Sequence, residues 1–196
     1  RMGISKTVTS PAATSDAPPL VRLRAAQVAT AVAEWFAEGG REVLFLCDSL
    51  TRFARAQREV GLAAGEPPAR QGYPPSVFQA LPRLLERTGP RPRGCITAVY
   101  TVLVAGEDHE EPIADEVRGL LDGHVVLSRA LAERGHFPAV DVLASVSRVM
   151  GQVAGPAHLA AAARVRALLA TWEQARELVQ LGVWRAGADA AVDEAV

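Results

Sequence analysis

At 196 residues, with 49% hydrophobic and 22% charged side chains, the chain has the length and apolar content for one ordinary domain with a small extension. A formal net charge of −1 supplies no overall basic field and argues against a nucleic-acid partner. The four histidines are scattered, no zinc-type spacing exists, and no apolar run reaches the roughly 20 residues of a membrane-spanning helix.

In chain order, Val8 to Ala13 reads as a strand, and Thr14-Ser15-Asp16-Ala17-Pro18-Pro19 as a loop entering a helix over 20–38. Leu20, Leu23, Val28, Val32, Trp35 and Phe36 fall mostly on one side of that helix, and Gly39-Gly40 stops it. A strand over 42–47 follows, so helix-then-strand order predicts a βαβ crossover and a parallel sheet. A helix over 50–64 leads to the long Pro- and Gly-rich loop 65–75. A helix over 76–87 is expected with Ser76 as its cap, then a bend over 89–94 and a strand over 95–104. Residues 106–111 form an acidic loop and Pro112 opens a short helix to 121. A strand over 124–127, a short helix over 128–133 and a strand over 140–145 come next. The Ala-rich stretch 157–181 is a helical appendage with Leu159, Val165, Leu168, Leu169, Trp172 and Val179 as its stripe. A soft domain boundary is placed at 150–156. Cys47 and Cys95 lie in strand-like runs and read as reduced core residues of a cytosolic protein. Arg1 begins the chain without a signal-peptide pattern, and a first residue other than Met suggests a fragment or a processed chain.

The most informative stretch is Val43-Leu44-Phe45-Leu46-Cys47-Asp48-Ser49-Leu50-Thr51-Arg52. A continuous apolar run is the pattern of a buried strand in a parallel sheet. Ligands sit beyond the carboxyl ends of such strands, where an acid can hold a metal-bound water beside a nucleotide phosphate. The alternative is that Asp48 only caps the helix beginning near Leu50.

This segment is followed by Phe53-Ala54-Arg55-Ala56-Gln57-Arg58-Glu59, Gly65-Glu66-Pro67-Pro68-Ala69-Arg70 and Gly72-Tyr73-Pro74-Pro75-Ser76-Val77-Phe78. Then come Glu111-Pro112-Ile113-Ala114-Asp115-Glu116, Leu121-Asp122-Gly123-His124 and Pro138-Ala139-Val140-Asp141-Val142-Leu143-Ala144-Ser145-Val146-Ser147-Arg148. In this order the motifs closely resemble the ATPases of bacterial type III secretion systems and their flagellar export relatives, which are similar to the rotary F-type and V-type ATPase subunits. The resemblance runs over roughly 12–190. It implies an α/β fold: the second half of a RecA-like P-loop NTPase core, a mostly parallel sheet flanked by helices, in residues 1–150, and an incomplete helical C-terminal domain in 151–196.

The resemblance also assigns roles. Asp48 matches the Walker B acid, holding Mg²⁺ through water. Arg148 matches the arginine finger supplied to a neighbouring subunit's ATP; without the family, an Arg after a strand reads as a solvated or ion-paired charge. Phe137-Pro138 matches the aromatic against the adenine ring, with core packing as the alternative. Arg52 lies one helical turn beyond Asp48 and either orients phosphate, contacts the adjacent subunit, or pairs with Glu59. Arg70 and Tyr73 lie in the loop that faces the central pore in this family, where they contact a stalk subunit or export substrate or simply stay solvated. Glu107, Asp108, His109, Glu110 and Glu111 fit no standard metal spacing and read as a solvated loop. His124 and His158 read as surface or cap residues.

A phosphate-binding loop requires Gly-x-x-x-x-Gly-Lys-Ser/Thr. Gly3-Ile4-Ser5-Lys6-Thr7 ends that way, but Ser5 stands where the second Gly is needed. The family's catalytic Gly-Glu-Arg motif, its amino-terminal β-barrel and the end of its helical domain are absent too, so tight ATP binding by these residues alone is not expected. The implied protein is an ATP- and Mg²⁺-dependent homohexamer. It is cytoplasmic and peripheral to the inner membrane, and it meets stalk and regulator subunits, secretion chaperones and substrates. A non-catalytic interaction module is the alternative. An RNA-translocating hexamer, which Asp-Ser-Leu-Thr-Arg alone would also suit, is disfavoured by the charge.

Overall fold

The computed structural model describes residues 13–14, 16–104 and 111–196. The expected strand over 8–13, the Gly3–Thr7 segment and the acidic loop before Glu111 therefore lie outside the described residues, apart from Ala13.

The chain divides into two units, Arg1–Leu120 and Leu121–Val196. In the first, α1 (Pro19–Glu38) opens on a proline, whose missing N–H costs nothing in the first turn, and stops at Gly39 and Gly40. Gly40 has φ +82°, a left-handed conformation suited to glycine. Only part of the expected apolar stripe of α1 packs, namely Leu23 with the half-buried Val32 and Phe36. Leu23, Thr30, Ala33 and Ala37 are buried, whereas Leu20, Val28 and Trp35 are exposed. Small side chains let the helix lie close to the sheet, where Ala33 and Ala37 meet Ile96 with Val43 and Phe45 beside them.

Strand β1 (Glu42–Cys47) follows α1; β2 (Gly89–Pro90) and β3 (Cys95–Tyr100) complete the sheet, in the order β1-β3-β2. β1 and β3 run parallel from Glu42↔Cys95 to Cys47↔Tyr100, and β2 runs antiparallel to β3 inside the expected bend. Val43, Phe45 and Cys47 turn toward α1, while Leu44 and Leu46 are 64% and 69% exposed, so this face of β1 is open among the described residues. At Gly94 a Cβ would stand 2.5 Å from the carbonyl oxygens of both Ala37 and Arg41, so only glycine lets β3 begin there. β3 ends at Tyr100 rather than 104, because the Leu103 N–H leaves the ladder and donates to Thr51 Oγ1 at 2.8 Å.

Helices α2 (Leu50–Ala63), α3 (Pro75–Leu85) and α4 (Pro112–Leu120) complete this unit. Leu50, Phe53, Val77, Leu81, Leu84, Ile113 and Val117 are buried. α3 starts at Pro75, so Ser76 is not its cap; the Ser76 N–H instead donates to Glu66 Oε2 at 3.1 Å. A carboxylate at a helix amino terminus also complements the helix dipole. Arg87 and Arg91 both donate to the Glu34 carboxylate, tying α1 to the end of α3 and the turn beyond it.

The second unit pairs β4 (Gly123–Leu127) with β5 (Val140–Ser147) in antiparallel fashion, with α5 (Arg129–Glu133) between them. Ser128 caps α5, accepting from the Leu131 N–H. The expected mostly parallel sheet is thus realised in β1/β3, while the other two pairings are antiparallel. Between β4 and β5 the connection holds only the five-residue α5, too short for the usual full crossover helix of a parallel return. α6 (Met150–Val153), α7 (Pro156–Gln180) and α8 (Ala190–Ala195) follow, and Arg164 of α7 pairs with Glu194 of α8. No described helix is long and apolar enough to cross a membrane.

Candidate active site

Asp48 is the first residue past β1, and its side chain does not cap α2. Ser49 is the cap, its Oγ accepting from the Arg52 N–H at 3.3 Å. Asp48 Oδ1 instead accepts from Thr101 Oγ1 at 2.7 Å, one residue past the end of the neighbouring parallel strand. Two backbone bonds hold this pair of chain ends in register: the Thr101 N–H donates to Cys47 O and the Leu50 N–H donates to Thr101 O, both at 3.0 Å. The Asp48–Ser49 peptide is cis. Beside it the Cys47 thiol is pushed up, first by burial and then by the Asp48 charge, and so stays protonated at neutral pH.

Asp48 opens onto a cleft of about 660 Å³ lined by Arg22, Cys47, Ser49, Arg52, Phe53 and Arg55 among others. Beside this one carboxylate the wall carries Arg22, whose charge is matched by Glu59, and Arg52 and Arg55, which leave a modest excess of positive charge that suits an anion. Arg22 is held by both Glu59 oxygens at 2.9 Å, so the pairing of Glu59 with Arg52 considered above is replaced by one reaching across to α1. Arg52 and Arg55 are three residues apart on α2 and therefore share its cleft-facing side. Among the described residues no three His, Cys, Asp or Glu side chains gather into a metal cage. A single carboxylate next to hydroxyls fits Mg²⁺, a hard cation that keeps most of its waters and takes one or two carboxylates plus substrate oxygens. The residues that would hold it here are Asp48 and, behind it, Thr101.

Phe137, Pro138 and Arg148 belong to the second unit. Phe137 is 74% exposed, so it is not a core side chain, and the Phe137–Pro138 peptide is cis. Arg148 follows β5 directly, and its N–H donates to Asp122 O at 2.7 Å. At Gly123 a Cβ would stand 2.5 Å from Val146 O and 3.1 Å from Ser147 Cα. The Leu121-Asp122-Gly123-His124 motif is therefore a backbone platform for Arg148: one carbonyl receives it and one glycine makes room for the strand that carries it.

In the 65–75 loop, Arg70 pairs with Asp115 at 2.7 Å on the surface. Tyr73 is not a solvated contact residue. It is only 7% exposed, packed against Phe78 and under the Arg58 guanidinium, and its phenol is raised by burial and by Glu111. Glu111 is no metal ligand candidate either: its Oε2 accepts from the N–H groups of Ile113 and Ala114 at the start of α4.

Thr101, Arg22 and Arg55 were not marked as site residues by the sequence reading. The three-residue spacing of Arg52 and Arg55 was an available signal. Thr101 and Arg22 come from neighbouring elements and carry none.

The ATP synthase alpha/beta family, nucleotide-binding domain, matches residues 2–147, and the EscN-type ATPase C-terminal domain of type III secretion systems matches 154–196. The flagellum-specific ATP synthase of Bacillus subtilis is 58% identical over 184 residues, which is 94% of this chain and 42% of that protein. The type 3 secretion system ATPase of Xanthomonas euvesicatoria is 57% identical over the same share of this chain and 42% of its own length. The solved structure of the assembled ATPase EscN from the enteropathogenic E. coli type III secretion system superimposes with a TM-score of 0.91 at 52% identity, covering 93% of this chain and 44% of that one. The chain thus spans less than half the length of these relatives. With a RecA-like core followed by a helical C-terminal part, it belongs to the ATP synthase alpha/beta family, in its type III secretion and flagellar export branch.

Proposed function

We propose that this chain is the Walker B and arginine-finger portion of an ATP-hydrolysing motor subunit that energises a bacterial type III protein secretion apparatus, driving export and chaperone release of substrates. The observation that carries the reading is Asp48, placed past the carboxyl end of a strand that runs parallel to its neighbour β3, held by Thr101 and facing a cleft edged with Arg22, Arg52 and Arg55. In that reading Asp48 would hold Mg²⁺ through water, and the ion would supply charge neutralisation at the phosphates. Arg52 orients phosphate or meets the adjacent subunit. Phe137, exposed and followed by Pro138, offers a flat face to adenine, and Arg148 reaches the γ-phosphate of a neighbour's ATP. A finger supplied in trans needs head-to-tail interfaces, which a closed ring provides, and the kinship with the type III secretion ATPases makes that ring a homohexamer. The central stalk EscO in a solved EscN complex supports a stalk partner. Regulator subunits, chaperones and substrates belong to the same reading, as does a cytoplasmic position peripheral to the inner membrane. The division into a core over 1–150 and a helical domain over 151–196 is supported by the two family matches, which meet between 147 and 154.

These 196 residues contain no phosphate-binding loop, which favours a second reading for the isolated polypeptide, a non-catalytic interaction module. Two measurements separate the readings. The full-length protein hydrolyses ATP and loses turnover on Arg148→Ala, whereas unchanged turnover in that variant removes the finger assignment. Titration of the isolated 196-residue chain with ATP gives no micromolar binding; micromolar affinity would contradict the need for the absent loop.

A further inference from the structure

β5 does not run straight into Arg148. Between the pairs Val126↔Asp141 and His124↔Val146, β4 advances by two residues and β5 by five, so β5 loops out over 142–145. A bulge frees backbone groups that the ladder would otherwise satisfy. Here side chains take them. The Arg166 guanidinium, projecting from α7, donates through Nη1 to Val142 O at 2.5 Å and Ser145 O at 3.1 Å, and through Nη2 to Leu143 O at 2.9 Å. His124 Nε2 donates to Ala144 O at 3.2 Å. The Asp141 carboxylate accepts from the Ala144 N–H at 2.9 Å, and Ser145 Oγ, itself bonded to Asp141 O, accepts from the Val126 N–H at 2.9 Å. All four carbonyls of the loop-out are thus occupied, three of them by one side chain from another helix.

We propose that Arg166 is a positioning residue for Arg148: by clamping three carbonyls of the β5 loop-out, it sets where β5 ends and ties the position of the Arg148 guanidinium to helix α7. The inference rests on the arginine-finger reading of Arg148. Its physical basis is lever geometry. The looped-out segment separates the paired residues Val140 and Asp141 from Val146 and Ser147, so its conformation sets the register of the short paired end that carries Arg148, and a planar guanidinium with donors in a fixed fork holds several acceptors in one arrangement. Without it the loop-out must find water for three carbonyls and β5 can slip, which moves the residue after Ser147. The Arg166 guanidinium is given over to backbone carbonyls of β5, so its loss should spare nucleotide affinity and strike turnover. It also gives the helical C-terminal part a direct physical handle on the finger, so that movement of α7 changes the rate.

The test is a set of variants of the full-length protein: Arg166→Ala, Arg166→Gln, Arg166→Lys, Arg148→Ala, and Arg148→Ala combined with Arg166→Ala. Steady-state and single-turnover ATPase assays, thermal melts and sizing of the ring are read together. Arg166→Ala is expected to lower kcat by about 10- to 100-fold with KM within about twofold, since small misplacement of a reacting group has costs on that scale. Arg166→Lys, with donors but no fork, recovers part of the loss. In the Arg148→Ala background, Arg166→Ala adds nothing further, because its only route to the reaction is gone. Should the alanine variant fail to fold, the glutamine and lysine variants carry the same prediction in graded form. Full kcat in folded Arg166→Ala or Arg166→Gln, with Arg148→Ala inactive, overturns the proposal. So does a further loss in the double variant equal to that in the single one. Unchanged turnover in Arg148→Ala removes the finger reading itself, and the proposal with it.

Discussion

Asp48 and Ser49 are adjacent, both of types that cap helices, and their roles separate cleanly under substitution. Ser49 is buried, and its Oγ accepts the Arg52 N–H at 3.3 Å as the cap of α2. Replacing a capping hydroxyl by Ala costs about 1 kcal/mol, and burial of the site pushes Ser49→Ala toward the upper end of the roughly 0.5–2 kcal/mol range. Asp48 is exposed and is bonded to the Thr101 hydroxyl at 2.7 Å, in a solvated setting. Asp48→Asn keeps an oxygen for that bond, so its cost in stability should stay under about 0.5 kcal/mol, as for an exposed polar exchange. The effect on function runs the other way. An amide is a poor partner for a water on a divalent cation, and loss of an outer-shell carboxylate costs on the order of 10- to 100-fold in metal affinity or activity. Urea unfolding and Mg²⁺-dependent ATPase assays on both variants of the full-length protein measure the two axes. The expected result is a crossed pattern, with Ser49→Ala less stable and active and Asp48→Asn stable and impaired. A less stable but fully active Asp48→Asn would return Asp48 to the capping role.

Glu34 titrates as part of the tie between α1 and α3. The Arg87 hydrogen bond, with the charges of Arg87 and Arg91, holds its carboxyl below the usual glutamate range. The folded value is therefore below the unfolded one, so this stabilisation is present above about pH 4.3 and is lost as pH falls through the folded value; Glu34→Gln should flatten that part of the stability–pH curve in urea titrations. Gly123→Ala forces a Cβ to within 2.5 Å of Val146 O. It should cost about 1–3 kcal/mol by calorimetry as an overpacked site and lower kcat by shifting Arg148, while Gly119→Ala, with open space at its Cβ, should do neither.

The order of elements was legible because the chemistry changes abruptly at their ends: an apolar run breaks at Asp48, Gly39-Gly40 stops α1, and Pro112 opens α4. What escaped the sequence reading depends on neighbours. The packing face of α1 agrees with the stripe at Leu23, Val32 and Phe36 and departs from it at Leu20, Val28 and Trp35, because close approach to the sheet selects Ala33 and Ala37 over larger side chains. β3 stopped early because Thr51, on a different element, captured the Leu103 N–H. Asp48 stood out by its place after a strand, but the choice between acid and cap turned on Ser49 and Thr101. Arg166 gave no local signal at all, since a guanidinium that grips backbone carbonyls can be read only once β5 and α7 are seen together.

If Asp48 of one subunit and Arg148 of the next complete a single site, rings mixed from two defective subunits regain activity. Full-length Asp48→Asn and Arg148→Ala proteins, each impaired alone, are combined in equal amounts and allowed to exchange subunits. About one quarter of the interfaces in a randomly mixed heterologous ring then join an intact Asp48 to an intact Arg148. ATPase activity should therefore reappear on mixing, to about that fraction of the wild-type rate. Mixed rings that form, as shown by differently tagged subunits co-purifying, yet stay as inactive as their parents would contradict it.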